Sequence, residues 1–210
     1  MTGIFVVVEG PEGAGKSTLV RALGAKLLAD GSQVLMVREP GGTPVAEAAR
    51  KVALRSRHEL SAAAELFLFL AARADLVSRV IRPALEAGQV VLADRFDLST
   101  RAYQVAGRGL PGSDVDAALR LATGGVVPDL TLVLDVPVEI GRERQLRARK
   151  VQDRFEREDD AFHDRVLAAY HAASGPSVVH IDATASKRTV QEAAWRALQA
   201  VAAPTTRGVS

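Results

Sequence analysis

Gly10-Pro11-Glu12-Gly13-Ala14-Gly15-Lys16-Ser17 follows the apolar run Ile4-Phe5-Val6-Val7-Val8 and opens a helical pattern, fitting GxxxxGK[ST], the phosphate-binding loop or P-loop. The chemistry needs these residue types in this order. Glycines let backbone N–H groups curl around an anion with no side chain in the way, and the helix that follows points the positive end of its dipole at the same place. Lys16 is then placed to reach the β- and γ-phosphates of a nucleotide, and Ser17 to offer its hydroxyl to Mg²⁺. An ordinary Gly-rich turn would explain the glycines, but not Lys-Ser at this offset after a buried strand. The phosphate-binding set is therefore Gly10, Pro11, Glu12, Gly13, Ala14, Gly15, Lys16, Ser17 and Thr18.

Working outward, five short β-type runs recur at residues 4–8, 34–37, 90–93, 130–134 and 177–181. Most are continuously apolar, as strands covered on both faces must be. Helical patterns separate them, at about 16–29, 45–55, 61–87 and 160–173, with a last one through Trp195. This alternation predicts an α/β fold, a parallel sheet with helices on both faces, whose ligands bind at the carboxyl ends of the strands. A length of 210 residues suits one such domain, expected over 1–203, with 204–210 as a frayed tail. Pro83 is expected to bend the 61–87 helix near its end.

Composition narrows the function. A net charge of +2 is too small for a nucleic-acid binder, so basic residues are judged by where they cluster. No cysteine means no disulfide framework and no thiolate metal site, and the four histidines lack metal-ligand spacing. The chain runs into its first strand without a basic region, a cleavable apolar segment or a membrane span, and a cytoplasmic protein is expected.

Functional residues should sit just after each apolar run. Arg38, before Glu39-Pro40-Gly41-Gly42-Thr43, is a phosphate contact or a solvated residue before a turn. On the 61–87 helix the apolar stripe of Leu66, Phe69, Leu70, Val77 and Val80 also carries Arg73. Phe69 and Arg73 are four apart and can face one ligand, a ring to stack on a base and a fork to bond its edge; the alternative is a core aromatic and a rim arginine. The third run ends in Asp94-Arg95-Phe96-Asp97. Asp94 stands where P-loop enzymes keep the carboxylate that orients Mg²⁺, Arg95 beside it can neutralise phosphate, and Asp97 suits a helix N-cap. Thr100, Tyr103 and Gln104 then form a polar and aromatic face. Arg142, Arg144, Arg147, Arg149, Lys150 and Arg154 crowd one segment, a solvated charge run or, opposite a bound polyphosphate, a lid at about 145–157 that closes arginines over it.

With these motifs together, the chain resembles bacterial thymidylate kinases of the P-loop nucleoside monophosphate kinase family along nearly its full length. The matching pieces are residues 9–17, Arg38-Glu39-Pro40-Gly41-Gly42-Thr43, Phe69-Leu70-Ala71-Ala72-Arg73, Asp94-Arg95-Phe96-Asp97-Leu98-Ser99-Thr100 with Ala102-Tyr103-Gln104, and Pro128-Asp129-Leu130. The resemblance implies a five-stranded parallel sheet with a short Arg-rich lid, transfer of the ATP γ-phosphate to dTMP with Mg²⁺, and a homodimer. It implies catalytic roles for Lys16, Asp94, Arg95 and Arg149, ATP contacts from Arg147 and Arg154, and Mg²⁺ at Ser17 and Asp94. For dTMP it implies Glu12 near the sugar 3′-hydroxyl, Phe69 on thymine, Arg73 on its edge, Arg38 and Arg95 on the phosphate, and Thr100, Tyr103 and Gln104 around base and sugar. Residues 182–186 match the segment near adenine. Phe96 and Leu70 depart from the family's usual residues and bear on fine substrate preference. A GTPase switch would need an Asn-Lys-x-Asp motif, which the sequence lacks.

Overall fold

Phe5, Val6, Val7 and Val8 have no exposed surface at all, which is why the run preceding the phosphate loop is continuously apolar rather than alternating. The computed structural model describes residues 3–56, 58–147 and 154–202. In it β1 (Ile4–Glu9), β2 (Val34–Arg38), β3 (Val90–Asp94), β4 (Leu130–Asp135) and β5 (Val178–Asp182) form one sheet in the order β2-β3-β1-β4-β5, every pair parallel. The expected five strands are all present, with ends shifted by a residue or so.

Alternation along β1 divides the core. Val6 and Val8 face a cluster with Leu19, Leu23 and Leu27 of α1 (Lys16–Ala29) and Leu198 of α9 (Lys187–Ala202), while Phe5 and Val7 face Leu76, Val77 and Ile81 on the other side. A third cluster joins Val133 to Tyr103, Phe155, Phe162 and Tyr170, the last two from α8 (Asp160–His171). Helix starts follow cap chemistry. Thr43 accepts the Ala46 N–H before α2 (Pro44–Arg55), Ser61 that of Ala64 before α3 (Ala62–Leu76), and Asp159 that of Phe162 before α8. Among the described residues no helix is long and apolar enough to cross a membrane.

Two expectations need correction. The 61–87 helix is not one regular rod: α3 widens into a π-helical turn at Val77–Ile81 before α4 (Arg82–Glu86), and Arg82 N–H bonds the Val77 carbonyl five residues back. Pro83 has no N–H to give the carbonyl four residues earlier, so the ladder is disrupted just ahead of it. Nor does Asp97 cap a helix with its side chain. It is the first residue of α5 (Asp97–Thr100), whose preceding residue Phe96 makes no side-chain cap bond, and α5 continues as a π-helical turn at Arg101–Gly107. The cap comes from far away in sequence: the Glu9 carboxylate accepts the N–H groups of Phe96 and Ser99.

The register lays the strand ends side by side. Val8 pairs with Asp94 and Asp94 with Arg38, so the phosphate loop after β1 meets the acidic end of β3 and the Arg38 end of β2 at one edge. The helices α6 (Gly112–Thr123) and α7 (Val138–Arg147) complete the chain order around β4.

Candidate active site

The loop between β1 and α1 turns through Gly13 at φ 74° and Gly15 at φ 99°, left-handed conformations that favour glycine. Lys16, at the first position of α1, curls back so that Nζ donates to the Gly10 and Pro11 carbonyls at 2.9 and 2.7 Å. Burial first, then the nearby Arg95 charge, pull its ammonium down to about 8, while Glu12, Asp94 and Glu9 oppose the shift. The Ser17 hydroxyl donates to Asp94 Oδ2. Hydroxyl and carboxylate thus lie together at the foot of the loop, a pair of hard oxygens. Among the described residues no group of three or more His, Cys, Asp or Glu could hold a metal alone. The residues present fit Mg²⁺, which takes one or two protein oxygens and completes its shell from phosphate and water.

Arg95 follows Asp94 with φ 77°, the one left-handed residue other than glycine among the described residues. Such a backbone costs of order 1–3 kcal/mol and persists only where the surroundings fix it. They do here. One terminal nitrogen of the guanidinium meets Ser99 Oγ at 3.0 Å, Tyr170 Oη at 2.9 Å and the Gly10 carbonyl at 3.5 Å. The other pairs with Glu12 and reaches Tyr103 Oη at 3.4 Å. Arg95 therefore joins the phosphate loop to the polar and aromatic face predicted around Tyr103.

Arg73 is only 3% exposed. Its Nε donates to Glu39 Oε2 at 2.7 Å, and its terminal nitrogens donate to Thr100 Oγ1 at 2.9 Å and the Phe96 carbonyl at 2.8 Å. Burial pushes the Glu39 carboxyl up, opposed by Arg73. Arg73 is thus not the rim residue of the alternative reading but half of a buried ion pair, whose breakage leaves an uncompensated charge and costs roughly 3–5 kcal/mol. Phe69, partly buried, packs at 5.8 Å on Phe155, which in turn meets Tyr103 edge-on at 5.2 Å. Gln104 donates to Glu65 Oε1 at 2.8 Å, and Arg108 and Arg154 reach the same buried carboxylate.

Other expected residues spread out. Arg38 has 56% of its side chain exposed and lies 3.7 Å from Glu47. Arg147 pairs along exposed α7 with Glu143. Arg149 lies outside the described residues. Of the departures, Phe96 is buried edge-on against Phe5 and Leu70 packs among Leu66, Val115 and Leu119, so both are core residues. Asp129 accepts the Phe5 N–H at 2.8 Å and braces the sheet. Sequence reasoning missed Glu9, Glu65, Phe155 and Tyr170. The hydrogen-bond partners of the Glu9, Glu65 and Tyr170 side chains, and the Phe69 and Tyr103 rings against Phe155, lie tens of residues away or more, so no local spacing signals them. A cavity of about 330 Å³ opens beside Glu12 and Tyr103, between the phosphate loop, α7 and α8, where Arg142, Gln145 and His163 line it.

Comparison with known proteins agrees with this geometry. A family model described as thymidylate kinase matches residues 8–194. The chain is 53% identical over 171 residues, 81% of each chain, to the thymidylate kinase of Pseudomonas syringae pv. syringae strain B728a. It is 50% identical over 196 residues to that of Pseudomonas fluorescens Pf-5, covering 91% of this chain and 93% of the relative. Against the thymidylate kinase of Thermomicrobium roseum it is 46% identical over 194 residues, 91% and 92% of the two chains.

Proposed function

Because the chain belongs to the thymidylate kinase family, enzymes that phosphorylate dTMP to dTDP with ATP, we propose that its site divides at Arg95, with the ATP phosphates on the loop side and dTMP on the Tyr103 side. The observation that carries this reading is the single guanidinium with one terminal nitrogen at the Gly10 carbonyl of the loop and the other between Glu12 and Tyr103 Oη, so that Arg95 spans both halves of the site. An acceptor that is itself a phosphate needs a fixed cation, not a base, and Arg95 supplies one.

On this reading the Gly10–Ser17 backbone cradles the ATP phosphates and Lys16 exchanges its two loop carbonyls for phosphate oxygens, with Thr18 beside them. Ser17 and Asp94 hold Mg²⁺, which when bound draws charge from the phosphate oxygens. Phe69 stacks on thymine against the Phe155 wall, Arg73 and Gln104 face the base edge with Thr100 behind, and Glu12 takes the sugar 3′-hydroxyl. Arg38 adds charge at the dTMP phosphate. In the lid, Arg149 is the arginine that meets the transferring group, with Arg147 and Arg154 flanking. The enzyme works in the cytoplasm as a homodimer.

An ADP-release assay across the nucleoside monophosphates tests the activity, and Phe69→Ala tests the division. dTMP should be the preferred acceptor, and Phe69→Ala should raise the KM for dTMP by about 1–3 kcal/mol, the worth of one base stacked on an aromatic, with the KM for ATP little changed. Equal effects on both substrates would make Phe69 a core residue only.

A further inference from the structure

Glu9 ends β1, directly before the phosphate loop, with no exposed surface, and no step above uses it. Its Oε1 accepts the Phe96 and Ser99 N–H groups at 2.7 and 3.1 Å. Its Oε2 accepts the Ser99 hydroxyl at 2.6 Å and faces the Tyr170 hydroxyl at 3.4 Å. These same two hydroxyl oxygens receive Arg95, at 3.0 and 2.9 Å.

A hydroxyl carries one proton. Ser99 gives its proton to Glu9 and therefore has only lone pairs for Arg95. Tyr170 gives its proton to Glu9 or to Ser99 Oγ, 2.9 Å away, and either way it too presents a lone pair. Burial and the Glu9 charge push the Tyr170 phenol well up, so it stays a hydroxyl. Burial also pushes the Glu9 carboxyl up, with Arg95, Ser99 and Phe96 holding it back; every contact to it is a donation, as suits an acceptor-only anion. Glu9 further holds the peptide N–H directly after Arg95, the residue whose backbone is left-handed.

We propose that Glu9 is a positioning residue for Arg95: it orients the Ser99 and Tyr170 hydroxyls so that their lone pairs fix the guanidinium that holds the acceptor phosphate. This rests on the phosphate role of Arg95 given above. The plainer role, a carboxylate that merely caps α5, can be separated from it. In Glu9→Gln the amide oxygen still accepts both N–H groups, whereas the amide nitrogen must donate to Ser99 Oγ; the Ser99 and Tyr170 protons then have only each other's oxygens as acceptors, so one of them is turned toward Arg95 and sets donor against donor.

Calorimetric titration of dTMP and of ATP into wild type, Glu9→Gln, Arg95→Ala and the double variant tests this without needing turnover. Glu9→Gln should weaken dTMP roughly tenfold or more, the scale of one hydrogen bond to a charged group, and leave ATP unchanged. On the Arg95→Ala background Glu9→Gln should add nothing. Tyr170→Phe, which keeps the cap intact, should weaken dTMP by a smaller factor and also be silent without Arg95, so the proposal stays testable if Glu9→Gln fails to fold. Unchanged dTMP affinity in both single variants, or the same loss with Arg95 absent, would overturn the positioning role and leave the phosphate role of Arg95 standing. Unchanged dTMP affinity in Arg95→Ala itself would overturn that phosphate role, and the proposal with it.

Discussion

Lys16 shows how one residue can be read twice. In sequence it is the cation of a phosphate loop; in the fold it is a buried ammonium satisfied by two carbonyls of that loop and pulled down to about 8. Below that pH free enzyme presents a cation to ATP, and above it a neutral amine. The kcat/KM for ATP, which reports free enzyme, should therefore fall by about tenfold per unit above about pH 8, whereas kcat should resist, because bound phosphates hold the proton on. A pH–rate profile flat into the strongly alkaline range would contradict this. The stability effect has the opposite sign. Unfolded Lys16 titrates at 10.5 and folded Lys16 at about 8, so between these values the fold binds fewer protons and this group makes the ATP-free protein more stable as pH rises. Lys16, Ser17 and Asp94 were legible because one motif and one strand end fix their order. Glu9 was not, since it reads as the end of a strand until the sheet brings Phe96 and Ser99 to it, 87 and 90 residues on.

Elements meet at this site more closely than their sequences reveal. A Cβ on Gly13 would fall 2.2 Å from the Gly141 carbonyl, and one on Gly141 would fall 2.7 Å from the Glu12 carbonyl, so the phosphate loop and α7 touch backbone to backbone. Two effects compete in Gly141→Ala. Helix propensity favours alanine by about 1 kcal/mol, and forced repacking against a backbone atom costs about 1–3 kcal/mol. The second should win, since the atom in the way is main chain. Gly141→Ala should lower Tm by a few degrees, at roughly 2–4 °C per kcal/mol for a chain this long, and raise the KM for ATP by displacing the Glu12 peptide. A higher Tm with unchanged kinetics would show that α7 rides freely over the loop. Strand and helix order was legible from apolar runs and caps. The π turns were not, because a widened turn leaves no periodic mark; only Pro83 hinted at one of them.

At the scale of the whole molecule, the question is what covers α3. Leu66 and Leu70 pack inward on Val115 and Leu119 of α6, and Glu65 is buried under Gln104. The outward stripe one turn apart is Ala63, Phe67 and Ala71, with Phe67 64% exposed. On the neighbouring α6, Leu121 is 85% exposed, and on α2, Val45 and Val52 are about half exposed. Single exposed apolar residues need no explanation, but these lie on helices packed side by side, α2 on α3 and α3 on α6. Two-fold pairing through α3 would set Phe67 beside its own copy, the self-complementary contact of a closed dimer. It would also reach the site, since Phe69 and Arg73 sit on the inner side of the same helix. Wild type should therefore sediment as a dimer at micromolar concentration, and Phe67→Glu should yield monomers with a raised KM for dTMP. A monomeric wild type would sink the pairing. A Phe67→Glu protein that stays dimeric would move the contact off α3 and leave Phe67 an isolated surface aromatic.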